Sequence, residues 1–133
     1  MKFKYHDLIV NYETRGSGES VIMLHGWNAD TSIYESIVNM LKKKYLIYII
    51  DLPGFGESMI PSIPYTLDDY VDFIHTFISD LNIDNPILIG HSFGGRIAIR
   101  YANKFRINKL ILISSAGIKR FNLKTKYKIH KYK

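Results

Sequence analysis

One serine stands in a glycine-rich stretch between an apolar run and an amphipathic segment. The stretch ILIGHSFGGRIAI covers residues 87–99, and Ser92 lies two residues after Gly90 and two before Gly94. A serine raised above a sheet on such a strand–turn–helix needs a strained backbone, and the flanking glycines remove the collisions that side chains would cause. The helix that follows points its first N–H groups at the same place, where they stabilise the anionic intermediate of acyl transfer. The spacing therefore predicts a nucleophilic serine.

Two further glycine-rich loops follow apolar runs. HGWNAD, residues 25–30, follows SVIML, and DLPGFGES, residues 51–58, follows YLIYII. Ligand sites of doubly wound sheets lie outside the carboxyl ends of the strands, so all three loops are expected to meet at one edge. The glycines of any one loop could serve only close packing of a helix on a strand. Three such loops at the same edge favour a functional site.

The apolar patterns also predict the elements that must position these loops. Alternating residues predict a hairpin of two strands joined near His6 and Asp7, and the short apolar runs predict strands buried on both faces. Two capping boxes predict helix starts: Ser32 with Glu35, and Thr66 with Asp69. The second of these helices is predicted to bury one face, made of Leu67, Tyr70, Val71, Ile74, Ile78 and Leu81. The order of elements predicts an α/β fold, a mostly parallel sheet with helices on both faces.

Taken together, the three loops resemble the motifs of the α/β-hydrolase family. The similarity runs from about residue 1 to residue 118 and rests on HGW after the third strand, D-x-P-G-x-G-x-S after the fourth and GHSFGG after the fifth. The resemblance implies an α/β-hydrolase fold truncated after about the sixth strand. It also implies an esterase- or lipase-like serine hydrolase, which acts on a small-molecule ester or acyl substrate and needs neither cofactor nor metal.

The resemblance assigns roles to individual residues. It implies that Ser92 is the nucleophile and that the backbone N–H groups of Trp27 and Phe93 hold the oxyanion. Residues 51–58 would shape the edge of the site rather than supply catalytic groups. The remaining site-loop residues that it implies are His25, Gly26, Gly90, His91 and Gly94.

The rest of a catalytic triad cannot be found after the serine. A serine hydroxyl needs a base to take its proton and a carboxylate to orient that base, and the family places them in the order Ser, acid, His. No Asp or Glu follows Ser92; the last acid is Asp84, and the only later histidine is His130. His130 has the correct chain order but lacks a partner carboxylate.

Each of the other histidines has a structural explanation. His25 is expected to hydrogen-bond within its loop, and His91 is expected to pack on the side of the turn opposite Ser92. His75 lies in the middle of a predicted helix, where we expect it to be exposed, and His6 lies in the first hairpin. The sequence thus contains one member of a triad.

Two hypotheses follow. The chain is the N-terminal part of a serine hydrolase, inactive alone, whose acid and histidine lie on a complementing C-terminal chain or in a downstream reading frame. Alternatively, it is a non-catalytic or decayed half-fold that acts as a binding or partner module. Reading onward in the gene distinguishes the two, because a continuation with the missing acid and histidine supports the first.

Composition limits the partners and the compartment. The stretch 119–133 contains seven Lys or Arg and no acid, so residues 1–118 hold 11 basic and 12 acidic groups, a net charge of −1. A basic tail gives no reason to expect a nucleic-acid partner of the domain. The absence of cysteine, of a signal-like N-terminus and of a long apolar run predicts a cytoplasmic protein without a membrane span. The resemblance implies that residues 1–118 are the N-terminal part of an α/β-hydrolase domain and that the basic tail 119–133 is the start of a cap domain.

The truncation is expected to expose apolar surface. The strand KLILIS should lie beside the Ser92 strand and present an open edge that pairs readily with other chains. The helix after Ser92 is expected to lose cover from part of its apolar face, made of Ile97, Ala98, Tyr101 and Phe105.

Overall fold

The structure, a computed structural model, describes residues 1–26 and 31–113. In these ranges strands and helices follow one another in the order β1 (Lys2–Tyr5), β2 (Leu8–Gly16), β3 (Glu19–Leu24), α1 (Thr31–Leu41), β4 (Tyr45–Ile50), α2 (Leu67–Asp80), β5 (Ile87–His91), α3 (Phe93–Lys104) and β6 (Lys109–Ile113). The predicted basic tail 119–133 and His130 lie outside the described residues.

The strands form a six-stranded sheet in the order β1-β2-β4-β3-β5-β6. β3, β4, β5 and β6 are parallel to one another, whereas β2 is antiparallel to both β1 and β4. Parallel strands need crossover connections, and the helices supply them on the two faces of the sheet. The predicted mostly parallel α/β fold, including the N-terminal hairpin that turns at His6, is confirmed.

The core is divided by the sheet into two unequal parts. α2 and α3 cover one face and enclose the larger cluster, which contains aromatic side chains from β1, β2 and α2. Phe77 is at its centre, with edge-on ring contacts at 5.1 Å to Phe3 and 5.2 Å to Tyr12. α1 covers the other face, where Val38 packs on apolar residues of the parallel strands.

The buried face of α2 is wider than predicted. The structure confirms Tyr70, Val71, Ile74 and Ile78 as buried and adds Phe73 and Phe77, while Leu67 and Leu81 are only partly buried. α2 packs on β1 and on α3 at the same time, so its apolar stripe must face two partners. A single helical face read from the sequence could not include the second partner.

The two predicted capping boxes had different outcomes. At α2 the box is formed, because the Thr66 hydroxyl accepts the Asp69 N–H at 3.2 Å and the Asp69 carboxylate accepts the Thr66 N–H at 2.7 Å. At α1 the prediction was wrong. That helix begins at Thr31, so Ser32 lies within its first turn and is not the N-cap. A Ser-x-x-Glu pattern marks a cap only where the preceding residue is outside the helix.

The expected exposure of the α3 face was wrong. Ile97, Ala98 and Tyr101 are buried, because α2 packs against α3 and covers this face. Phe105 is partly buried, and the ring of His75 on α2 stacks on it with the centroids 3.9 Å apart. His75 itself is exposed, as predicted.

The strand β6 lies beside β5, as predicted, and among the described strands β5 is its only partner. Leu110 and Ile111 are 37% and 43% exposed, which is high for apolar residues of a strand. The described part of the chain therefore has an apolar, unpaired edge. None of the helices in the described ranges combines the length and the apolar character needed to cross a bilayer.

The α2 capping box provides a test of local stability. We expect Thr66→Ala to lower the free energy of unfolding by about 1 kcal/mol, because the Asp69 N–H loses its acceptor. Ser79→Ala, at an exposed position near the other end of α2, is the matched control and should change it by less than about 0.5 kcal/mol. Urea denaturation measures both. Equal effects of the two substitutions would contradict the capping role.

The β6 edge provides a test of association. We expect the 133-residue chain to self-associate as its concentration rises, and Ile111→Lys to reduce that association, because a charge on an edge strand opposes pairing. Ile63→Lys is the control, since Ile63 is 74% exposed and lies outside every strand. Sedimentation velocity over a concentration series measures the effect. A chain that stays monomeric throughout would show that the edge is covered.

Candidate active site

Ser92 occupies the turn between β5 and α3. It is the N-cap residue of α3, with φ of 53° and ψ of −119°, and its side chain makes no capping hydrogen bond. A non-glycine residue in this region of φ and ψ is strained by about 1–3 kcal/mol and persists only where the surrounding structure enforces it. The side chain of Ser92 is thus held out of the helical path at the carboxyl end of a central strand.

The flanking glycines are required by close approach. A Cβ on Gly90 would lie 2.6 Å from the Cα of Gly95, and a Cβ on Gly94 would collide with the carbonyl oxygen of Leu24 at the end of β3. Both separations are far shorter than van der Waals contact. A side chain at position 90 or 94 would therefore force the neighbouring backbone to move. The glycines remove collisions, as predicted, but a side chain at position 90 would collide with the start of α3 and one at position 94 with the end of β3 rather than with Ser92 itself.

The HG turn after β3 lies against Ser92. A Cβ on Gly26 would be 2.5 Å from the Cβ of Ser92 and 2.9 Å from its Oγ. The structure therefore brings together two loops that are separated by 66 residues along the chain. Phe93, the first residue of α3, is next to Ser92 on the helix, whereas Trp27 lies outside the described residues.

His25 links two loops through its ring. Its Nδ1 is 3.1 Å from the Gly26 carbonyl oxygen, and its Nε2 is 3.4 Å from the backbone nitrogen of Leu52. A neutral ring that carries its proton on Nδ1 satisfies both contacts, donating to the carbonyl and accepting the N–H. Both nitrogens are thus used within the loops, as the sequence predicts.

Asp51 organises the loop that follows β4. Its carboxylate accepts hydrogen bonds from the Glu57 N–H and from the side chain of Asn11, both at 3.1 Å. Its backbone carbonyl accepts from the Ser58 hydroxyl, which in turn accepts the Asn11 N–H at 2.8 Å. The loop needs glycine at position 56, since a Cβ there would lie 2.5 Å from the Asp51 carboxyl carbon. Asn11 is a participant that nothing in the sequence had indicated.

His91 lies behind the turn. Its ring is packed edge-on against Tyr34 of α1, with the centroids 5.6 Å apart, and its Nδ1 is buried without a hydrogen-bond partner in the described part of the chain. Burial raises the pKa of Tyr34 to about 12, and the nearby backbone of Gly26 offsets part of that rise. These contacts agree with a packing role for His91 and join α1 to the back of the site.

A cleft of about 550 Å³ opens beside the turn, on the side of α2 and α3. Ser92 does not line it, but its neighbour Phe93 does, together with Tyr70 and Arg96. The Tyr70 hydroxyl donates to the Pro53 carbonyl at 2.9 Å, and its ring packs edge-on against Phe93 at 5.4 Å. The sequence predicted Tyr70 as a core residue and missed this second contact, because the partner loop is 17 residues distant.

No base contacts the serine in the part of the chain that the structure describes. Within residues 1–26 and 31–113, the Ser92 hydroxyl has no hydrogen bond to a histidine or an acid, and His25 and His91 are engaged elsewhere. In the same ranges no cluster of three His, Asp or Glu side chains could hold a metal ion.

Comparison with known proteins relates this arrangement to one family. The family model described as alpha/beta hydrolase fold matches residues 19–129. The AB hydrolase superfamily protein YisY of Bacillus subtilis is 39% identical over 109 residues, 79% of this chain and 41% of that protein. The pimeloyl-[acyl-carrier protein] methyl ester esterase of Nitrosomonas europaea is 31% identical over 108 residues, 80% of this chain and 41% of that protein.

A solved structure leads to the same family. The esterase from Exiguobacterium antarcticum superposes with a TM-score of 0.75 at 32% identity, over 85% of this chain and 45% of that chain. The chain therefore spans less than half the length of each of these three relatives.

The contact between Gly26 and Ser92 can be tested directly. We expect Gly26→Ala to displace the turn at Ser92 and to lower the free energy of unfolding by about 1–3 kcal/mol, because the new methyl group overlaps the serine side chain. Denaturation gives the free energy, and amide chemical shifts of residues 90–95 report the displacement. An unchanged free energy together with unchanged shifts would show that the two loops do not touch.

Proposed function

The chain belongs to the alpha/beta hydrolase family, and from that premise we propose that Ser92 is the nucleophile of an ester- or acyl-hydrolysing reaction. The observation that carries the proposal is the strained backbone of Ser92, with φ of 53°, directly before the N-terminus of α3. Strain that closely packed neighbours maintain at a site edge is typical of functional residues.

In the proposed reaction, the Ser92 oxygen attacks the carbonyl carbon of the substrate while a base takes the hydroxyl proton. The carbonyl oxygen becomes an anion, which the backbone N–H groups of Phe93 and Trp27 stabilise. The N-terminal end of the α3 dipole adds to this stabilisation. Collapse of the intermediate releases the alcohol and leaves an acyl group on the serine, which water then removes.

The base and its acid come from polypeptide outside this sequence. No acid follows Ser92 in the 133 residues, and the chain matches less than half the length of its relatives. A complementing chain or a downstream reading frame supplies the missing acid and histidine. Residues 119–133 are the start of a cap domain. The chain alone is thus an incomplete and inactive serine hydrolase. If no such polypeptide exists, it is a decayed half-fold that serves only as a binding module.

The substrate class is a small-molecule ester or acyl compound. The names of similar proteins, an esterase from Exiguobacterium antarcticum and a methyl ester esterase from Nitrosomonas europaea, favour ester cleavage. The phenyl ring of Phe55, which packs edge-on to His25 at 5.9 Å, and that of Phe93 give the site an apolar wall.

A fluorophosphonate probe tests the proposal. We expect the purified chain to show negligible labelling and ester hydrolysis, because no base contacts Ser92 within residues 1–26 and 31–113 and no acid follows it in the sequence. Co-expression with a segment that supplies the missing strands, acid and histidine should raise labelling by at least about 100-fold, the typical effect of a general base. Ser92→Ala should abolish the labelling, whereas Ser79→Ala, the matched control on α2, should leave it unchanged.

The opposite result would be equally clear. Rapid turnover by the chain alone that disappears in Ser92→Ala would mean that this sequence contains a base, and His130→Ala would be the next variant. Labelling that survives Ser92→Ala in the complemented protein would exclude Ser92 as the nucleophile.

A further inference from the structure

The cleft between the loop after β4 and the first turns of α2 and α3 has the chemistry of a ligand site. We propose that it binds a small amphiphilic anion, a carboxylate with an apolar chain, whose head group pairs with Arg96. Phe55 and Phe93 border both this cleft and the proposed site of the reaction, but Ser92 itself does not line the cleft. The proposal therefore goes beyond the reaction at Ser92, because binding in the cleft requires no nucleophile.

The walls of the cleft are apolar and built from several elements. Proline and aromatic side chains of the loop, Tyr65 and Leu67 at the start of α2, and Phe93 of α3 enclose about 550 Å³. This volume lies within the range of about 300–1,000 Å³ that is usual for pockets of small molecules. Tyr70 holds the two sides together through its hydrogen bond to Pro53 and its contact with Phe93. The cleft is thus fixed by specific contacts.

Arg96 is the one charged residue that lines the cleft within the described ranges, and no acid there pairs with it. The two acids at the start of α2 are already engaged. Asp68 accepts hydrogen bonds from Arg100 at 3.0 and 3.2 Å and from Lys104 at 3.0 Å. Asp69 accepts the Thr66 N–H in the capping box.

The pairing of Asp68 is reflected in its titration. Hydrogen bonds from Arg100 and Lys104 lower the pKa of the Asp68 carboxyl, so it stays ionised and bound to those partners one and two turns beyond Arg96. The guanidinium of Arg96 is left with an apolar cleft on one side and solvent on the other. A carboxylate would complement it, and the positive end of the α3 dipole acts in the same sense.

The rim of the cleft is apolar as well. Ile60 lines it and is 78% exposed, and the nearby Ile63 is 74% exposed. Single exposed apolar residues are common, but two of them beside an apolar cleft mark a surface that is covered in use. An apolar chain that extends from the cleft would cover them. A hydrophilic anion such as phosphate would not.

A titration followed by two-dimensional amide NMR tests the proposal on the 133-residue chain. The ligand is decanoate below its micelle concentration, and decyltrimethylammonium, with the same chain and the opposite charge, is the comparison. We expect decanoate to give saturable shifts at residues around the cleft: Tyr65, Tyr70, Phe93 and Arg96. Decyltrimethylammonium should bind several-fold more weakly, since Arg96 repels its head group.

Substitutions at exposed positions keep the fold intact and separate charge from packing. We expect Arg96→Gln to weaken decanoate binding about fivefold, which is the effect of one solvent-exposed ion pair. Arg106→Gln, an exposed arginine outside the cleft, is the control and should leave the affinity unchanged. Ile60→Glu should also weaken decanoate, because it places a like charge at the rim. Thermal melting of each variant verifies folding.

Several results would overturn the inference. Decanoate and decyltrimethylammonium could bind with equal affinity, or Arg96→Gln could leave the decanoate affinity unchanged. The amide shifts could also map to residues outside the cleft, or appear only with micelles or lipid vesicles. Ser92→Ala should bind decanoate as the unsubstituted chain does. Decanoate binding that depends on Arg96, together with a Ser92 that stays unreactive toward the fluorophosphonate probe in the complemented protein, would support this site and refute the proposed function. Reaction of Ser92 in the complemented protein, together with decanoate binding that is unchanged by Arg96→Gln, would support the proposed function and refute this site.

Discussion

The close approach of three backbone segments around Ser92 is the constraint on which the site depends. Gly26, Gly90 and Gly94 each lie so near a neighbour that a Cβ would overlap it, and Ser92, which they surround, adopts a positive φ of 53°. The strain is local and unfavourable, so it requires well-packed elements on every side. β5 and β3 are buried neighbours in the sheet, and α3 is held on them by α2.

Side chains that connect the loops maintain this arrangement at the sheet edge. His25 bonds the HG turn to Leu52, and Asp51 and Ser58 bond the next loop to Asn11 of β2. Tyr70 extends the connection to α2. Each bond is modest in net free energy, about 0.5–1.5 kcal/mol. Their combined effect is to place two loops and two helix N-termini in fixed positions around one serine and one cleft.

The two faces of the sheet are covered unequally. The face under α2 and α3 encloses the aromatic cluster around Phe77, whereas the face under α1 has the smaller cluster. The edge strand β6 adds only partly buried side chains, Leu112 to the larger cluster and Ile113 to the smaller one, and Leu110 and Ile111 are partly exposed there. The strained turn is supported from the well-packed side, and the incompletely covered strand is its neighbour in the sheet. An added element at β6 would therefore act on stability and on the site together.

The sequence by itself determined the α/β fold, the order of its strands and helices, the N-terminal hairpin and the glycine spacing at Ser92, because these follow from period, turn chemistry and backbone sterics, which are local. It also indicated loop roles for His25 and Asp51. Only the tertiary structure decided that α2 buries Phe73 and Phe77, that α3 is covered, and that Arg96 faces an apolar cleft while Asp68 binds Arg100 and Lys104. These facts depend on which helix lies beside which, and residues that are 30 or more positions apart give no local signal of their contact.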